Sequence, residues 1–326
     1  MKTYFQYLPV SVQNIDWGLY LTAAGTESVP PGCETYPSTT HPSMYYFTWK
    51  EGRVLPEYQF LYLTRGRMIF ESTATPERII EAGHMVILLP GVWHRYRPDP
   101  KTGWEKYWLS ANGEDLYRLV QRRILSPGNC ILHTGLSEKI RRPYLQILSR
   151  VEARPGENPH VLAAYVMQIL AETLATVAHA RKRGESKTSP AGQKDPVVSR
   201  ALSHLWSHSH GVVTVDELAG LMGTSRRTLE RRFRAVLGRS VLQAITDCRL
   251  QRAKYLLQNS KLPIAHVAMS AGFPSPAQMT NVFRAYEGRT PRKYRKGPGR
   301  PLSSRKSRVQ RGAPHGGRMR GSGTTR

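Results

Sequence analysis

Cysteine, acidic side chains and long apolar runs are all scarce in this sequence, and each shortage excludes a class of protein. Its three cysteines, Cys33, Cys130 and Cys248, are too few and too scattered in 326 residues for a disulfide framework or a cysteine-rich zinc site. No run of about 18 uncharged apolar residues occurs, which argues against a membrane span. The start, MKTYFQYLPV, lacks the apolar stretch of a secretory signal. We therefore expect a cytoplasmic protein that makes no membrane contact.

The shortage of acidic side chains is concentrated towards the C-terminal end. The chain holds 48 Lys+Arg and 23 Asp+Glu, a net charge of +25. Residues 1–196 carry a net +5, residues 197–296 a net +12, and residues 297–326 a net +8 with no acidic residue. Basic charge clustered on one domain favours binding to a nucleic-acid backbone, because neutralising phosphates releases condensed counterions. A solvated face or a polybasic membrane contact has the same composition, so charge alone does not separate these readings.

Composition also predicts where the domains begin and end. Residues 181–196, RKRGESKTSPAGQKDP, are dominated by small and charged residues and are typical of a flexible linker. Residues 297–326 consist largely of Gly, Ser and Arg with almost nothing to bury, which predicts a disordered basic tail. The folded domains are therefore expected at 1–180 and 197–296.

The first domain changes from strands to helices partway along. Residues 58–70 predict two β-rich runs around an Arg65-Gly66 turn, and further short strands are expected at 85–89 and 106–109. Short strands at this spacing indicate an antiparallel sandwich or barrel. After Gly113 the pattern becomes helical and includes one apolar stripe, which is either intramolecular core or a dimer seam: Leu162, Val166, Ile169, Thr173 and Val177.

A helix, a glycine turn and a basic helix follow one another near the start of the second domain. Thr214 is placed to cap the first helix, Gly223 permits a sharp turn, and Ser225 caps the second helix. The second helix buries a stripe that includes Leu229 and Phe233, and its opposite face presents Arg226, Arg227, Glu230, Arg231 and Arg234. This pattern predicts a helix-turn-helix unit whose second helix reads DNA.

The same arrangement recurs further along the chain. Five residues have identical counterparts at an offset of 49 and then 50: Ala219 with Ala268, Gly223 with Gly272, Ser225 with Ser275, Phe233 with Phe283, and Arg234 with Arg284. Five agreements in order indicate an internal repeat. The second reading helix is expected to bury Met279, Val282, Phe283 and Tyr286 and to present Ala277, Gln278, Thr280, Asn281 and Arg284. Between the units, residues 241–258 predict a long helix that can fix both reading helices on one face of DNA, at major-groove openings roughly 34 Å apart.

Residues 212–296 resemble the DNA-binding domain of the AraC/XylS family of bacterial transcription regulators. The segments SRRTLERRFRAVLG, RLQRAKYLLQNSKLPIAHVAMSAGF and NVFRAYEGRTPRKYR carry the resemblance. It implies a two-unit domain that reads adjacent major grooves of double-stranded DNA. By position, the family's base-reading residues fall on Arg227, Glu230, Arg231, Ala277, Gln278 and Asn281. Contacts with phosphate are expected from Arg234, Arg284, Arg292 and Lys293.

Residues 83–94 resemble the second motif of cupin proteins, with a glycine, a strand, a Pro90-Gly91 turn and His94. A cupin enzyme would add an earlier motif of His-x-His and a glutamate to bind metal, and this sequence lacks that motif because His41 is the one histidine before His84. We therefore expect no metal, no cofactor and no enzymatic activity.

Aromatic and polar side chains crowd the stretch that follows this motif. Aromatic faces beside directional polar groups suit a sugar, although barrel core with a solvated edge is the alternative. The stretch 58–113 resembles the cupin-type ligand-binding domain of sugar-responsive AraC relatives, through GVWHRYRPDPKTGW and the following KYW. The resemblance implies ligand contacts at Tyr96, Lys106 and Trp108. The complete set of expected ligand-binding residues is Trp93, His94, Tyr96, Lys106 and Trp108.

The sequence as a whole predicts an α+β protein. We expect an N-terminal β-barrel of cupin or jelly-roll type with a helical dimerisation segment, followed by an all-α double helix-turn-helix domain. The expected function is a sugar-responsive transcriptional activator that forms a homodimer and works with RNA polymerase. The alternatives are a non-specific architectural DNA-binding protein and a cupin enzyme tethered to DNA.

Overall fold

Antiparallel strands occupy the first part of the chain and helices the second. The computed structural model describes residues 3–33, 36, 45–183, 195–207 and 212–297. Most of the expected linker at 181–196 and almost all of the expected tail at 297–326 lie outside these described residues, so both remain predictions.

The N-terminal part contains eight strands among the described residues, and they form one connected antiparallel arrangement. Strands β1-β2-β7-β3-β5-β8 are neighbours in that order, while β4 and β6 pair with the far half of β3. The elements up to the last long strand are β1 Tyr4–Tyr7, helix α1 Val12–Asp16, β2 Tyr20–Val29, β3 Tyr58–Ser72, β4 Thr75–Glu81, β5 His84–Leu88, β6 His94–Pro98 and β7 Trp104–Asn112.

Strand β3 corrects the expectation of two runs joined by an Arg65-Gly66 turn. It is one strand whose pairing with β7 shifts register between Leu63 and Arg65. Gly66 follows with a φ of 74°, and a Cβ at this position would lie 2.1 Å from the carbonyl oxygen of Gly103. The glycine therefore bends the strand rather than reversing it. The first half of β3 pairs with β5 and β7, and the second half pairs with β4 and β6.

The sheet is not a closed barrel, which corrects that part of the expected fold. The path ends at β1 and β8, and no pairing between these two strands joins the ends in the described part of the chain. The core does not need a closed barrel, because the bend in β3 places the smaller sheet of β3, β4 and β6 over the larger sheet. The alternation of β3 follows from this packing: Phe60 and Tyr62 face the helices, whereas Leu61 and Leu63 pack with the core between the two sheets.

Helices cover the outer face of the larger sheet. The elements after β7 are helix α2 Glu114–Gln121, a single 3-10 turn Pro127–Asn129, β8 Ile131–His133, α3 Glu138–Ala153 and α4 Pro159–Lys182. The apolar stripe along α4, which includes Leu162, Val166 and Ile169, is buried inside the chain's own core. The dimer-seam interpretation of this stripe is therefore wrong, because the sheet already covers it.

Helix α4 is also the one described helix with the length and composition to cross a membrane. The segment Pro159–Ala180 has a mean hydropathy of 1.6. Its buried side chains pack against strands β2 and β8 and helix α3 in the N-terminal core. Packing in the N-terminal core therefore explains why this helix is apolar.

The C-terminal part contains seven described helices. They are α5 Pro196–Ser207, α6 Val215–Leu221, α7 Arg226–Leu237, α8 Val241–Asn259, α9 Ile264–Ser270, α10 Pro276–Glu287 and α11 Pro291–Lys296. The first half of α8 packs with α5, α6 and α7 around Phe233, while its second half packs with α9, α10 and α11 around Phe283. Helix α8 is therefore the common support of both helical units, as the sequence predicted.

The N-terminal domain also packs directly on α8 and α5. Val10 and Tyr20 belong to the same apolar cluster as Leu256 of α8. On the other side, the indole of Trp206 in α5 lies against Gly91 in the turn after β5. The two domains therefore meet at two places, the second half of α8 and helix α5.

Candidate DNA-binding helices and ligand pocket

The first helix-turn-helix unit is built by local capping. Thr214 and Glu217 form a reciprocal capping box at the start of α6, and Ser225 accepts a hydrogen bond from the backbone NH of Thr228 at the start of α7. The turn between these helices contains Gly223 with a φ of 65°, and α7 ends at Gly238 with a φ of 66°. The expected helices and turn are confirmed.

The second unit repeats the backbone of the first. The NH of Thr224 donates to the carbonyl of Ala219 at 3.0 Å, and the NH of Phe273 donates to that of Ala268 at 2.9 Å. Gly272 has a φ of 79°, like the glycine at the same place in the first unit. Hydrogen bonds and positive φ values therefore repeat together, so the internal repeat is confirmed as a structural one.

The reading helix of the first unit presents arginine to solvent. Arg227, Arg231 and Arg234 are exposed on α7. Arg226 is also exposed, and its guanidinium lies 3.0 Å from the Asp216 carboxylate of α6. The side chain of Glu230 is half-buried, and its carboxylate accepts a 3.3 Å hydrogen bond from the backbone NH that begins α8, that of Val241. The expected base-reading set of this helix therefore divides into exposed arginines and a glutamate held against α8.

The reading helix of the second unit presents smaller polar groups. Ala277, Gln278, Asn281 and Arg284 are exposed on α10. Thr280 is half-buried, and its hydroxyl donates to the carbonyl oxygen of Pro276 at 2.9 Å. Among the expected buried residues, Met279 and Phe283 are fully buried, but Tyr286 is 49% exposed. The expectation for Tyr286 is wrong, because it lies beyond the stripe that faces α8.

Ion pairs fix the reading helices to their support. The Lys254 ammonium of α8 lies 2.9 Å from the Glu287 carboxylate of α10, and both side chains are 9% exposed. Arg232 of α7 lies 3.0 Å from Asp195, whose carboxylate accepts hydrogen bonds from the first backbone NH groups of α5. These pairs sit on the inner sides of the reading helices and leave the outer faces open.

A small cavity lies between the two sheets of the N-terminal domain and has a volume of about 20 Å³, enough for a water molecule. Its lining is aromatic and polar, and consists of Tyr7, Glu27, Tyr36, Tyr45, Arg53, Gln59, Tyr96, Lys106 and Trp108. Three of the five expected ligand-binding residues, Tyr96, Lys106 and Trp108, are thus brought together at one site. We call this site the sheet pocket.

The guanidinium of Arg53 occupies the centre of the sheet pocket. It lies 4.8 Å from the ring centroid of Phe47 and 5.2 Å from that of Tyr96. It also donates hydrogen bonds to Gln59 and to the Tyr96 hydroxyl. Aromatic rings and polar side chains therefore both contact the guanidinium, which fills most of the space between them.

Lys106 lines the sheet pocket and forms an ion pair with Glu27. Its ammonium lies 2.6 Å from the Glu27 carboxylate, and both side chains are buried. The same ammonium lies 4.2 Å from the ring centroid of Trp104 and 5.0 Å from that of Tyr96. The pair therefore adds directional hydrogen-bonding groups to the pocket without adding net charge.

The other two expected ligand-binding residues lie outside the lining of the sheet pocket. Trp93 packs over Gly52, and its indole NH donates to the carbonyl oxygen of Glu51 at 2.8 Å. His94 is buried behind Arg53, whose Nε donates to the imidazole Nε2 at 3.2 Å. Burial first and the nearby Arg53 charge second lower the pKa of His94 to about 3, so its imidazole is neutral.

Arg53, Tyr45 and Glu57 are site residues that the sequence interpretation missed. They lie in the segment just before β3, where a single arginine and two glutamates, Glu51 and Glu57, were the available signals. Glu57 is 1% exposed, and its carboxylate accepts hydrogen bonds of 2.7 Å from Thr22 and from Tyr45. Burial raises its pKa, and these hydrogen bonds oppose the increase.

Glu57 also lies at the contact between the domains. A second small cavity, of about 10 Å³, has Glu57 and Asn112 on one side and Arg252 and Tyr255 of α8 on the other. Tyr45 therefore lines the sheet pocket and binds the carboxylate that faces the supporting helix of the DNA-binding units.

Metal coordination has no candidate in the described part of the chain, where no three His, Cys, Asp or Glu side chains are placed to hold an ion together.

Two family models match the chain. The AraC-like ligand binding domain matches residues 36–170, and a helix-turn-helix domain matches residues 218–297. The Msm operon regulatory protein of Streptococcus mutans is 23% identical over 67% of this chain and 76% of its own length. The raffinose operon transcriptional regulatory protein of Pediococcus pentosaceus is 22% identical over 78% of this chain and 90% of its own length.

Two further matches each cover about a third of this chain. The xylose operon regulatory protein of Escherichia coli is 31% identical over 31% of this chain, and the match spans 26% of that regulator. The solved DNA-binding domain of AdpA in complex with a target DNA is 35% identical and covers 32% of this chain and 92% of its own, with a TM-score of 0.30.

The first family model covers the sheet pocket lining from Tyr36 to Trp108, and the second covers the paired helix-turn-helix units from Leu218 onward. The chain belongs to the AraC family of DNA-binding transcription regulators.

Proposed function

We propose that the protein is a sugar-responsive transcriptional activator that reads two adjacent major grooves through α7 and α10. The observation that carries this proposal is the repeat of one capped helix-turn-helix unit on a single supporting helix. In this proposal Arg227 and Arg231 contact base edges in the first groove, where arginine favours guanine. Gln278 and Asn281 contact base edges in the second groove, where amide side chains favour adenine.

Phosphate contacts supply most of the affinity in this proposal. Arg234, Arg284, Arg292 and Lys293 are exposed beside the reading faces and position the protein without specifying sequence. The basic tail, residues 297–326, acts as an additional electrostatic arm. Its removal should make the dependence of affinity on salt shallower and leave the sequence preference unchanged.

A sugar is the proposed effector, and the sheet pocket is its proposed site. Two of the relatives are named as regulators of a xylose operon and a raffinose operon, and the pocket combines aromatic faces with polar side chains. The present volume of about 20 Å³ is below the size of a monosaccharide, so Arg53 must move for a sugar to bind. A sugar would replace it by stacking on Tyr96 or Trp108 and by donating hydroxyl hydrogen bonds to the oxygens of Gln59 and Tyr96 that now accept from Arg53.

Movement of Arg53 is the proposed start of the switch. The guanidinium donates to the backbone carbonyl of Tyr45, whose hydroxyl binds Glu57 at the α8 contact. A sugar that displaces Arg53 would therefore favour a different contact between the N-terminal domain and α8. This coupling requires that the sugar bind the two domain arrangements with different affinity.

The assembly belongs to the same proposal. We propose a cytoplasmic, non-enzymatic homodimer with domains at 1–180 and 197–296, a linker at 181–196, and contact with RNA polymerase as an activator. Since the α4 stripe is intramolecular core, a dimer must use another surface of the N-terminal domain. Sedimentation of the full chain would give its oligomeric state directly.

The test is DNA footprinting of the purified protein at physiological salt, with and without a panel of pentoses and hexoses. We expect short protected sites with two half-elements about one helical turn apart, altered by one sugar. Trp108→Ala should abolish the sugar effect, whereas the matched control Trp93→Ala, outside the pocket lining, should retain it. Diffuse protection that ignores every sugar would instead support a non-specific architectural protein and overturn the proposal.

A further inference from the structure

A large cleft separates the N-terminal domain from the first helix-turn-helix unit on the side of α2. Its volume is about 960 Å³, at the upper end of the range for small-molecule sites. One wall is α2 with the loop that follows it, and the other is formed by α5 and the end of α6. None of its lining residues belongs to α7, to α10 or to the sheet pocket. We call it the interdomain cleft.

The charge of the interdomain cleft has one sign. Arg122 and Arg123 contribute from the N-terminal wall, and Arg200 from the α5 wall. The described residues that line the cleft include no aspartate or glutamate. The Arg200 guanidinium donates to the carbonyl oxygen of Met222 at 3.1 Å, which holds it at the wall. Arginine side chains gathered in this way favour carboxylate, phosphate or sulfonate groups, which accept paired hydrogen bonds.

Apolar side chains lie beside these cations. Val120 and Leu125 line the N-terminal wall, and Val197, Leu221 and Met222 line the opposite wall. Leu221 is 56% exposed although it belongs to α6, whose other apolar residues are buried. Together with Val197 and Met222, Leu221 forms an apolar strip on this wall that suits a ligand with an apolar body.

The base of the cleft is a polar contact between the domains. The hydroxyl of Tyr117 in α2 is hydrogen-bonded to Nδ1 of His204 in α5, and Gln121 donates to the same hydroxyl. Both Tyr117 and His204 are buried. Burial raises the pKa of Tyr117 to about 12, so the phenol keeps its proton at neutral pH. A molecule in the cleft would therefore touch both walls next to the hydrogen bond between Tyr117 and His204 that joins them.

We propose that the interdomain cleft is a second effector site, distinct from the sheet pocket, for a small anion with an apolar body. The anionic group binds Arg123 and Arg200 from opposite walls, and the apolar body covers Leu221 and Val197. The linker is an unsuitable occupant, because residues 184–194 carry Lys187 and Lys194 against one acid and would be repelled by the arginines. Because its contacts come from both domains, the ligand stabilises the present domain arrangement over any arrangement that separates the walls.

The probe for this site is 8-anilinonaphthalene-1-sulfonate, an aromatic sulfonate whose fluorescence rises in apolar surroundings, titrated into the full chain. Arg123→Ala and Arg200→Ala should each weaken binding about tenfold, and Arg200→Lys should weaken it less. Ser199→Trp should abolish binding by filling the cleft. The matched controls are Arg142→Ala and Ser149→Trp, exposed positions on α3, and they should change binding less than about twofold.

Competitors then identify the chemistry of the ligand. Decanoate is compared with 1-decanol, and adenosine monophosphate with adenosine. We expect the anion of one pair to displace the probe at least about tenfold better than its neutral counterpart. Displacement by decanoate assigns a carboxylate amphiphile, and displacement by the nucleotide assigns a phosphate ester.

Three results would overturn the proposal. In the first, the full chain does not bind the probe. In the second, the cleft variants and the control variants bind it equally. In the third, the anions and their neutral counterparts displace it equally. Loss of probe binding in Trp108→Ala but not in Arg200→Ala would place the probe in the sheet pocket and also overturn it. The sugar response of Arg200→Ala keeps the two proposals separable, because it should survive when the probe site is lost.

Discussion

The Nε of Arg53 donates a hydrogen bond to Nε2 of His94 at 3.2 Å, and this contact fixes the state of the histidine. Nε2 must be unprotonated to accept, so Nδ1 carries the hydrogen and donates to the carbonyl oxygen of Val92 at 2.9 Å. Protonation of Nε2 would break the bond and place a buried cation beside the half-buried guanidinium of Arg53. The protonation state of the His94 imidazole therefore depends on the position of the Arg53 guanidinium, which lines the sheet pocket.

This contact predicts acid sensitivity of the N-terminal domain. The pKa of His94 is about 3 in the folded state, against an ordinary value of 6.5, so only the unfolded chain takes up a proton between these values. Unfolding is therefore favoured as the pH falls below 6.5, and the free energy of unfolding should drop by about 1 kcal/mol between pH 6.5 and 5.5.

Urea unfolding measured across this pH range is the test. The variant His94→Gln can still accept from Arg53 but does not titrate, so it should lose this part of the slope. An unchanged slope in His94→Gln would show that another group causes the acid sensitivity.

Arg231 on α7 should carry sequence specificity. It is exposed on the outer face of a helix that is capped and fixed from its inner side. Arg231→Ala should cost about 1–3 kcal/mol on the cognate site and little on random DNA. Arg234→Ala is the matched comparison, because loss of a phosphate contact should weaken binding to both DNAs equally. Competition binding with both DNAs measures this, and equal losses for Arg231→Ala would remove its base-reading role.

The helical domain was predictable because its signals are local. Capping residues such as Thr214 and Ser225, the turn glycine Gly223 and the stripe containing Phe233 act within a few residues of one another. The sequence of each unit is therefore enough to predict its helices and turn, and the same signals occur in both units. The error at Tyr286 arose where burial depends on how far the supporting helix reaches, which is a tertiary property.

The sheet pocket was only partly predictable because it is assembled from distant segments. Tyr96 and Trp108 lie in an aromatic cluster that the sequence reveals. Glu57 takes its role from strand β2, which brings Thr22 to it, and from helix α8, which places Tyr255 nearby. Arg53 takes its role from strand β6, which brings Tyr96 to it. In the same way, Gly66 indicates a turn from local sequence, and only its pairing partners decide that β3 continues through it.

The pair between Lys254 and Glu287 predicts strong coupling within the second helix-turn-helix unit. Both side chains are buried and their charged atoms lie 2.9 Å apart. Removing one partner leaves an uncompensated buried charge, so Lys254→Met or Glu287→Gln alone should cost about 3–5 kcal/mol of stability. The double variant should cost clearly less than the sum. Urea unfolding of the four proteins gives the coupling energy, and simple additivity would show that the pair does not interact.

Gly91 predicts that the contact between the domains can be broken by one methyl group. A Cβ at this position would lie 1.7 Å from Cδ1 of Trp206, a distance that no rotamer change of the new methyl can relieve. Gly135 is the matched control, because its φ of 64° resembles the 75° of Gly91 but its Cβ would meet no atom within 4 Å. Both alanine variants carry the backbone cost of roughly 1–2 kcal/mol. Only Gly91→Ala should also displace Trp206 and so weaken the contact of α5 with the N-terminal domain.

Urea unfolding distinguishes the two glycine variants. The native chain and Gly135→Ala should unfold with equally coupled domains, whereas Gly91→Ala should unfold over a broader urea range, because the loss of the Trp206 contact weakens the coupling between the domains. DNA binding measured without sugar adds a functional readout, since the proposed switch acts through the same contact between the domains. If Gly91→Ala unfolds like Gly135→Ala and binds DNA with unchanged affinity and sugar response, the contact of Trp206 with the N-terminal domain plays no part in coupling the sheet pocket to the reading helices.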